Sequence, residues 1–379
     1  MAESKHSSIM DTKPTENRLF WVDAARVFAI IAITLNHALN RTFNMHDTAL
    51  EFQTIPFGLT VFKSLVQIFS RIGVPVFLMI TGALLLGRDY SDEATLKKFY
   101  KRNWISLFIT AEVWYFIIFI YKSLAPNSIL RTKGVAAALL QLICNQLFIN
   151  QDSFSSMWYM AMILCVYLLI PFISLGVKNI KSKYIMIPVL IAFLSGFLFP
   201  NINSCISLAT SGKISNLIDF GLSVTNLFSL YVIYIYLGYR ISLGALDDLP
   251  GFVLVPGLIV SFLGTSGYQL WAFSRPVNYI VTYNSAGILI VSALLFECYR
   301  RYGSKLQFAK RPVELLSEIS FGIYFVHICI MEGIQVFLPT KVGYIPYFLI
   351  LEIVSFGLSI LLIQIIRKSK FLGRILFRI

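Results

Sequence analysis

An arginine and a histidine lie eleven positions apart in the first long apolar segment, "RVFAIIAITLNH" (Arg26 to His37). In an α-helix this spacing leaves the two side chains within about 20° around the axis and roughly 16 Å apart along it. A guanidinium binds phosphate or carboxylate through paired N–H donors, and a neutral imidazole accepts a proton near pH 7. The spacing predicts an anion-binding group and a general base on one helix face, with Asn36 adding polarity beside the base.

A second buried cation, Arg71, lies near the middle of the next apolar segment. A charge at membrane depth costs roughly 3 kcal/mol or more, so it indicates a function or an ion pair. The possible counter-ions in later apolar segments are Glu112, Glu332 and Glu352. Alone, Arg26 could reach the headgroups and His37 could cap an interfacial helix end, and the depth of Arg71 favours a functional site instead.

The composition places these residues in a membrane. The chain is 57% hydrophobic and only 13% charged, whereas a soluble domain is about 25% charged. A spanning helix needs about 20 mainly apolar residues. Segments of suitable length lie near 19–39, 58–86, 104–122, 157–176, 184–199, 222–242, 251–272, 278–298, 317–338 and 344–366. The predicted fold is an all-α polytopic membrane helix bundle of about ten transmembrane helices.

The net charge of +13 is distributed unevenly between the two sides of this predicted bundle. With the N-terminus inside, the inner segments hold 22 Lys and Arg residues and the outer loops hold 7. Positive charge accumulates on the cytoplasmic side of membrane proteins. The asymmetry predicts a multi-pass membrane protein with both termini in the cytoplasm. Because topology accounts for the charge, the predicted partner is the lipid bilayer and no nucleic acid is expected.

The chain divides into a flexible cytoplasmic tail at 1–18, one membrane domain at 19–366 and a basic cytoplasmic segment at 367–379. The "GVP" at Gly73 to Pro75 predicts a kink in the second span. The segment 123–156 contains an apolar stretch too short to span, which predicts an interfacial or re-entrant element. The five cysteines are spaced singly, which favours packing roles over disulfides or metal ligands.

Five motifs in order resemble those of the acyltransferase-3 family of membrane acyltransferases, and they cover essentially the whole chain after residue 18. They are "DAARVFAIIAITLNHA" (23–38), "GVPVFLMITGALLLGR" (73–88), "KKFYKRNWISLF" (97–108), "SMWYMAMILCVYLLIPFI" (156–173) and "LLSEISFGIYFVHICIM" (315–331). Two positions depart from the family pattern: Thr81 replaces a serine, and Val27 replaces a frequent glycine. Both departures resemble the branch that modifies surface polysaccharides, including enterobacterial common antigen.

The resemblance implies transfer of an acyl group, usually acetyl, from a CoA thioester to a hydroxyl of a cell-surface or lipid-linked glycan. Acetyl-CoA, or another acyl-CoA, would be the donor, and no metal is implied. The location that the resemblance implies is a bacterial inner membrane. A hydroxyl that attacks a thioester needs a base, for which His37 is the first candidate and His327 the second. Arg71 would stabilise the oxyanion, and Arg26 would hold the donor.

Other candidates follow from the same motifs. A basic segment could attract CoA phosphates, although positive-inside charge explains it equally well; its candidate residues are Lys98, Lys101 and Arg102. Trp158 and Tyr159 could stack on a sugar or belong to the interfacial aromatic belt. Tyr324, beside His327, could position the acceptor.

Two alternatives come from other functional classes. A secondary transporter or polysaccharide exporter would use Arg71, Glu112 and Glu332 as substrate or proton sites at mid-depth. A sensor would bind acyl-CoA or lipid without turnover. The effect of His37→Ala separates an enzyme from an exporter, because only the enzyme loses a modified product.

Overall fold

The computed structural model describes residues 19–125, 128–149, 157–218, 230–338 and 342–378, and throughout these residues the regular structure is helical. The predicted tail at 1–18 lies outside the described residues. The helices are α1 Phe20–Thr42, α2 Thr48–Thr54, α3 Phe57–Arg71, α4 Gly73–Leu85, α5 Glu93–Phe99, α6 Ser106–Ser123, α7 Ile129–Lys133, α8 Val135–Gln146, α9 Trp158–Asn179, α10 Ser182–Phe193, α11 Phe199–Ala209, α12 Leu230–Ser242, α13 Gly251–Phe273, α14 Ala286–Tyr302, α15 Lys310–Phe337, α16 Tyr344–Ile366 and α17 Lys370–Phe377.

Helical turns of other types connect three pairs of these helices. Wider π-helical turns at Tyr100–Ile105 and Leu194–Leu198 connect α5 to α6 and α10 to α11. A tighter 3₁₀ stretch, Gly303–Ala309, connects α14 to α15. The chain reverses there, because α14 ends beside Trp21 at the start of α1, and α15 runs from Asp23 back to His37.

Eight helical stretches of the described residues are long and apolar enough to cross a membrane, which confirms the all-α membrane fold. The predicted number of ten stays a prediction, for two reasons. The stretch Ala286–Phe337 is continuous over 52 residues and includes two predicted segments, 278–298 and 317–338. In addition, α12 has 13 described residues, because part of the predicted segment 222–242 lies outside the described ranges. The cytoplasmic location of the termini also stays a prediction.

Helix α1 lies at the centre of the bundle, where it contacts α3, α4, α14, α15 and α16. Its alanines at 25, 29 and 32 are completely buried. Small residues at this spacing allow helices in a membrane to approach closely. A side chain at Gly73 would place its Cβ 2.7 Å from the carbonyl oxygen of Ala29. The helix that carries Arg26 and His37 is thus enclosed by neighbours that could supply partners for both.

The second predicted span is interrupted where the sequence predicts a kink. Helix α3 ends at Arg71, α4 begins at Gly73, and the Ile72 N–H bonds back to the carbonyls of Phe69 and Ser70. Pro75 has no N–H, so the carbonyl four residues before it, that of Arg71, loses its helical donor. Arg71 therefore occupies the last position before a break in the helix.

The apolar stretch between α6 and α9 forms the 12-residue helix α8, which packs against α6. Its leucines at 139 and 140 and Ile143 are exposed. A helix of this length is too short to span a bilayer. An exposed apolar face fits either of the predicted arrangements, interfacial or re-entrant.

Candidate active site

Two cavities meet inside the bundle. The first, here called the arginine cavity, has a volume of about 460 Å³ and is lined by Arg26, Arg88 and Arg378. The second, the histidine cavity, has a volume of about 270 Å³ and is lined by His37. Both are also lined by Ile33, Tyr159 and Tyr324, which form a shared wall. The rings of the two tyrosines lie 5.7 Å apart, centroid to centroid.

The two cavities follow the length of α1. This helix runs without interruption from Phe20 to Thr42, so Arg26 and His37 are separated along one helix axis by roughly 16 Å, as predicted. Ile33, which lies between them in α1, is part of the shared wall. The spacing noticed in the sequence therefore corresponds to one residue at each of two adjoining cavities.

The histidine cavity is lined by residues from five parts of the chain besides the shared wall. Its lining residues besides the shared wall are Asn36, His37, Asn40 and Arg41 from α1, Ser70 and Arg71 from α3, Val74 from α4, Trp158 from α9 and Tyr283 from the loop before α14. The Ser70 hydroxyl donates a long hydrogen bond, 3.4 Å, to the Asn36 side-chain oxygen. The predicted site residues Asn36, Arg71, Trp158, Tyr159 and Tyr324 thus lie around one cavity with His37.

His327 lies directly behind His37. The centroids of the two imidazole rings are 5.2 Å apart, and the planes are tilted by 52°. His327 is completely buried, and its Nδ1 lies 2.7 Å from the carbonyl oxygen of Ile323, one turn earlier in α15. A carbonyl accepts only, so Nδ1 carries the proton and Nε2 is left with its lone pair. Nε2 has no hydrogen-bond partner among the described residues.

Arg71 faces an aromatic wall. Its guanidinium carbon lies 5.3 Å from the centroid of the Tyr283 ring, which packs against Trp158 with the ring centroids 5.6 Å apart and the planes tilted by 31°. Its Nε is buried without a hydrogen-bond partner among the described residues. A cation over an aromatic face is stabilised by the ring quadrupole. Arg71 is thus held in place while retaining N–H donors for a group in the cavity.

The predicted counter-ions have other contacts. Glu332 lies 3.5 Å from Arg41 and 2.6 Å from Lys122, at the far end of the histidine cavity from the shared wall. Glu352 accepts a 2.6 Å hydrogen bond from the Thr34 hydroxyl. Glu112 lines neither cavity, and one of its carboxylate oxygens is buried without a partner in the described part of the chain.

Arg41 is a site residue that the sequence analysis missed. It follows His37 by four positions, which places both on one helix face. That spacing was the available signal, although Arg41 reads as an ordinary outer-loop charge at the end of an apolar segment. Its Nη1 also donates a long hydrogen bond, 3.4 Å, to the His37 carbonyl.

In the arginine cavity, Arg26 is fixed by a neighbouring helix. Its Nη1 lies 3.0 Å from the Ser317 hydroxyl of α15 and 3.4 Å from the Asp23 carboxylate, and Ser317 in turn donates a 2.5 Å hydrogen bond to Asp23. Thr81, which replaces the family's serine, lines the same cavity and donates its hydroxyl to the Phe77 carbonyl. Neither Asp23 nor Ser317 was a predicted site residue.

The residues predicted to attract CoA phosphates lie outside both cavities. Lys98, Lys101 and Arg102 are exposed and line neither cavity. Their neighbour Asn103 lines the arginine cavity instead. Among the described residues, no group of three or more His, Cys, Asp or Glu side chains is arranged to hold a metal ion.

The geometry combines a cavity lined by arginines, two adjoining imidazoles and a cation with spare donors, which together suit transfer of a group between two bound substrates. The model of the acyltransferase-3 family, described as an acyltransferase domain, matches residues 19–364. No curated protein and no solved structure matches the chain. The matched range contains every residue that lines the two cavities except Phe377 of α17 and Arg378, the residue after that helix. The chain therefore belongs to the acyltransferase-3 family and is a membrane acyltransferase.

Proposed function

We propose that this protein moves an acyl group, acetyl in the first instance, from a CoA thioester to a hydroxyl of a cell-surface or lipid-linked glycan. The observation that carries the proposal is the pair of cavities that meet at one wall, with Arg26 and His37 on the same helix to either side. Such a pair offers separate places for a donor and an acceptor and one junction where they react.

The donor occupies the arginine cavity. With the termini in the cytoplasm of a bacterial cell, as the 22 to 7 distribution of basic residues favours, this cavity faces the cytoplasm, where CoA is found. Arg26 suits a phosphate or carbonyl oxygen of the donor. The roughly 16 Å between Arg26 and His37 is comparable to an extended pantetheine arm, so the thioester reaches the shared wall.

The acceptor hydroxyl occupies the histidine cavity. Aromatic faces are suited to stack on sugar rings, and the Asn36 and Asn40 side chains supply amide donors and acceptors. Trp158 and Tyr283 form the aromatic side of this cavity. These residues support a carbohydrate acceptor, whose identity sets the position of the reacting hydroxyl.

The transfer then proceeds by general base catalysis. His37 takes the proton of the acceptor hydroxyl while the oxygen of that hydroxyl forms a bond to the carbonyl carbon of the thioester. The negative charge on the thioester oxygen is stabilised by Arg71. As the carbon–sulfur bond breaks, the CoA thiolate takes the proton from His37, which yields an ester and free CoA. His327 holds the ring of His37 from behind.

The test is mass spectrometry of the surface and lipid-linked glycans of cells that express the wild type, His37→Ala, His46→Ala or no protein. His46 is exposed and lines neither cavity, so its variant is the matched control. An acyl mass increment with the wild type and His46→Ala, and none with His37→Ala at equal protein level, supports the proposal. Unmodified glycans in all four strains contradict it.

A further inference from the structure

Helix α17 lies outside residues 19–364, yet it forms part of the arginine cavity. Phe377 and Arg378 line that cavity, and Phe377 is only 1% exposed. The carbonyls in the last turn of a helix have no partner inside the helix. Here α6 supplies two of the missing donors, because Thr110 and Trp114 donate to the carbonyls of residues 375 and 376 at 2.9 and 2.8 Å. This helix is therefore docked against the bundle rather than lying loosely beside it.

Arg378 is held at the cavity by three contacts. Its backbone is left-handed, with φ 60° and ψ 31°, a conformation that residues other than glycine seldom adopt, and its N–H bonds to the Gly373 carbonyl. Its Nη2 donates to the Arg102 carbonyl at 3.1 Å, and its guanidinium carbon lies 5.9 Å from the Phe321 ring centroid. Burial lowers the pKa of Arg378, so its charge is partly removed from water.

The charge in this cavity is unbalanced. Arg26 is paired with Asp23, and Glu318, the carboxylate among the lining residues, lies 4.0 Å from Arg367. Arg88 and Arg378 form no ion pair with a carboxylate among the described residues. Arg88 donates its Nε to the Leu84 carbonyl, which leaves its terminal nitrogens for another acceptor. Two arginines thus face one cavity without an ion-pair partner in the part of the chain that the structure describes.

We propose that Arg88 and Arg378 bind the phosphates of the CoA donor, which makes α17 part of the donor site. This inference rests on the proposed function. A guanidinium donates two parallel N–H bonds to a phosphate, and its planar fork makes it better suited to that contact than an ammonium. CoA carries a diphosphate and a 3′-phosphate at one end and a neutral pantetheine arm at the other. Arg88 and Arg378 hold the charged end of CoA while the neutral arm extends toward the shared wall.

The experiment measures binding of CoA, 3′-dephospho-CoA and pantetheine to the full chain in nanodiscs of neutral phospholipid. The variants are Arg378→Gln, Arg378→Lys and Arg88→Gln, with Arg374→Gln as the matched control, because Arg374 is exposed on the same helix. A charge-assisted hydrogen bond contributes enough for about a tenfold change in affinity. We expect Arg378→Gln and Arg88→Gln to weaken CoA binding by about this factor, Arg378→Lys to weaken it less, and Arg374→Gln to leave it unchanged.

Several outcomes overturn the inference and separate it from the proposed function. Equal affinity of the wild type for CoA and pantetheine shows that the phosphates are not recognised, and this result needs no variant. If Arg378→Gln binds CoA as tightly as the wild type does, α17 is not part of the donor site, and the acyltransferase proposal remains intact. Absence of CoA binding by the wild type overturns both. Loss of CoA affinity by the wild type on adding anionic phospholipid to the nanodiscs, with little or no loss in Arg378→Gln and Arg88→Gln, assigns the arginines to lipid headgroups instead.

Discussion

The imidazole rings of His37 on α1 and His327 on α15 lie 5.2 Å apart; His37 lines the histidine cavity, and His327 lines neither the histidine cavity nor the arginine cavity. His327 is completely buried and directs its Nδ1 proton to the Ile323 carbonyl, so its basic nitrogen can act on a substrate only through His37. This geometry supports our proposal that His37 is the catalytic base, and it suggests the role of a positioning residue for His327.

His327→Ala is expected to lower the rate constant of acyl transfer by about 10- to 100-fold through misplacement of the base, which is less than the roughly 100- to 10,000-fold that general-base catalysis contributes in full. The KM for both substrates should change little, since His327 touches neither cavity. The decisive measurement is the double variant His37→Ala/His327→Ala. If His327 acts through His37, the double variant is no slower than His37→Ala alone. A further loss in the double variant assigns His327 an independent role.

Arg71→Met is expected to lower acyl transfer by about 100- to 1,000-fold, as loss of one oxyanion donor does in other enzymes. Arg71→Lys keeps the charge and loses the planar fork, so we expect only partial activity. The matched control is Arg275→Met, because Arg275 also lies over an aromatic ring, that of Trp271 at 5.0 Å, and lines neither cavity. Initial rates of glycan acylation in membrane vesicles provide the measurement. An Arg71→Met variant with more than half the wild-type rate contradicts the role given to this residue.

The sequence predicts the position of Arg26 relative to His37 because the relation is local. Helical periodicity alone fixes the angle and the distance between two residues on one continuous helix, and α1 is continuous over both residues. The break beside Arg71 is local as well, because a missing N–H at Pro75 disturbs the helix wherever it packs. The all-helical membrane fold follows from apolar segment lengths in the same way.

Contacts between distant helices could not be read from these patterns. Arg26 is bridged to Asp23 by Ser317, and Glu332 joins Arg41 and Lys122 rather than Arg71. Each such pairing depends on which helices become neighbours, and no short-range signal in a single sequence specifies that. Arg378 shows the same limitation, since it reads as ordinary positive-inside charge until α17 is docked on α6.

Lys63→Met is expected to destabilise the fold by about 3 kcal/mol, because it leaves a buried carboxylate unpaired. Lys63 and Glu51 are 1% and 6% exposed, with Nζ 2.6 Å from the carboxylate. Nζ also donates to the Asn44 carbonyl at 2.9 Å, which ties the loop after α1 to α3. The measurement is thermal unfolding of the purified protein in detergent.

Two companions make this stability prediction specific. The double variant Glu51→Gln/Lys63→Met should recover part of the loss, since no buried charge remains. Lys97→Met breaks a pair of similar length, 2.7 Å to Glu93, in which both side chains are more than three-quarters exposed. An exposed pair contributes at most about 1 kcal/mol. Equal destabilisation by Lys63→Met and Lys97→Met contradicts the argument from burial.

Gly82→Ala is expected to lower both stability and activity through the contact between α4 and α12. A Cβ at Gly82 would lie 1.8 Å from the Ile235 carbonyl oxygen, so α12 must move away, at a cost of about 1–3 kcal/mol. Helix α12 also carries Tyr234, whose hydroxyl donates a 2.6 Å hydrogen bond to the carbonyl of Tyr283, the ring beneath Arg71. A displaced α12 therefore disturbs the aromatic wall of the histidine cavity.

The matched control for Gly82→Ala is Gly264→Ala on α13, where a Cβ meets nothing within 4 Å. Alanine in a helix interior is more stable than glycine by roughly 0.5–1 kcal/mol, so this variant should unfold at the same temperature as the wild type or higher. Thermal unfolding and glycan acylation are measured on both variants. One outcome is that Gly82→Ala unfolds at a lower temperature than the wild type and still acylates glycans at the wild-type rate. In that case α12 does not position Tyr283, and Arg71 is supported from α9 through the contact of Trp158 with Tyr283.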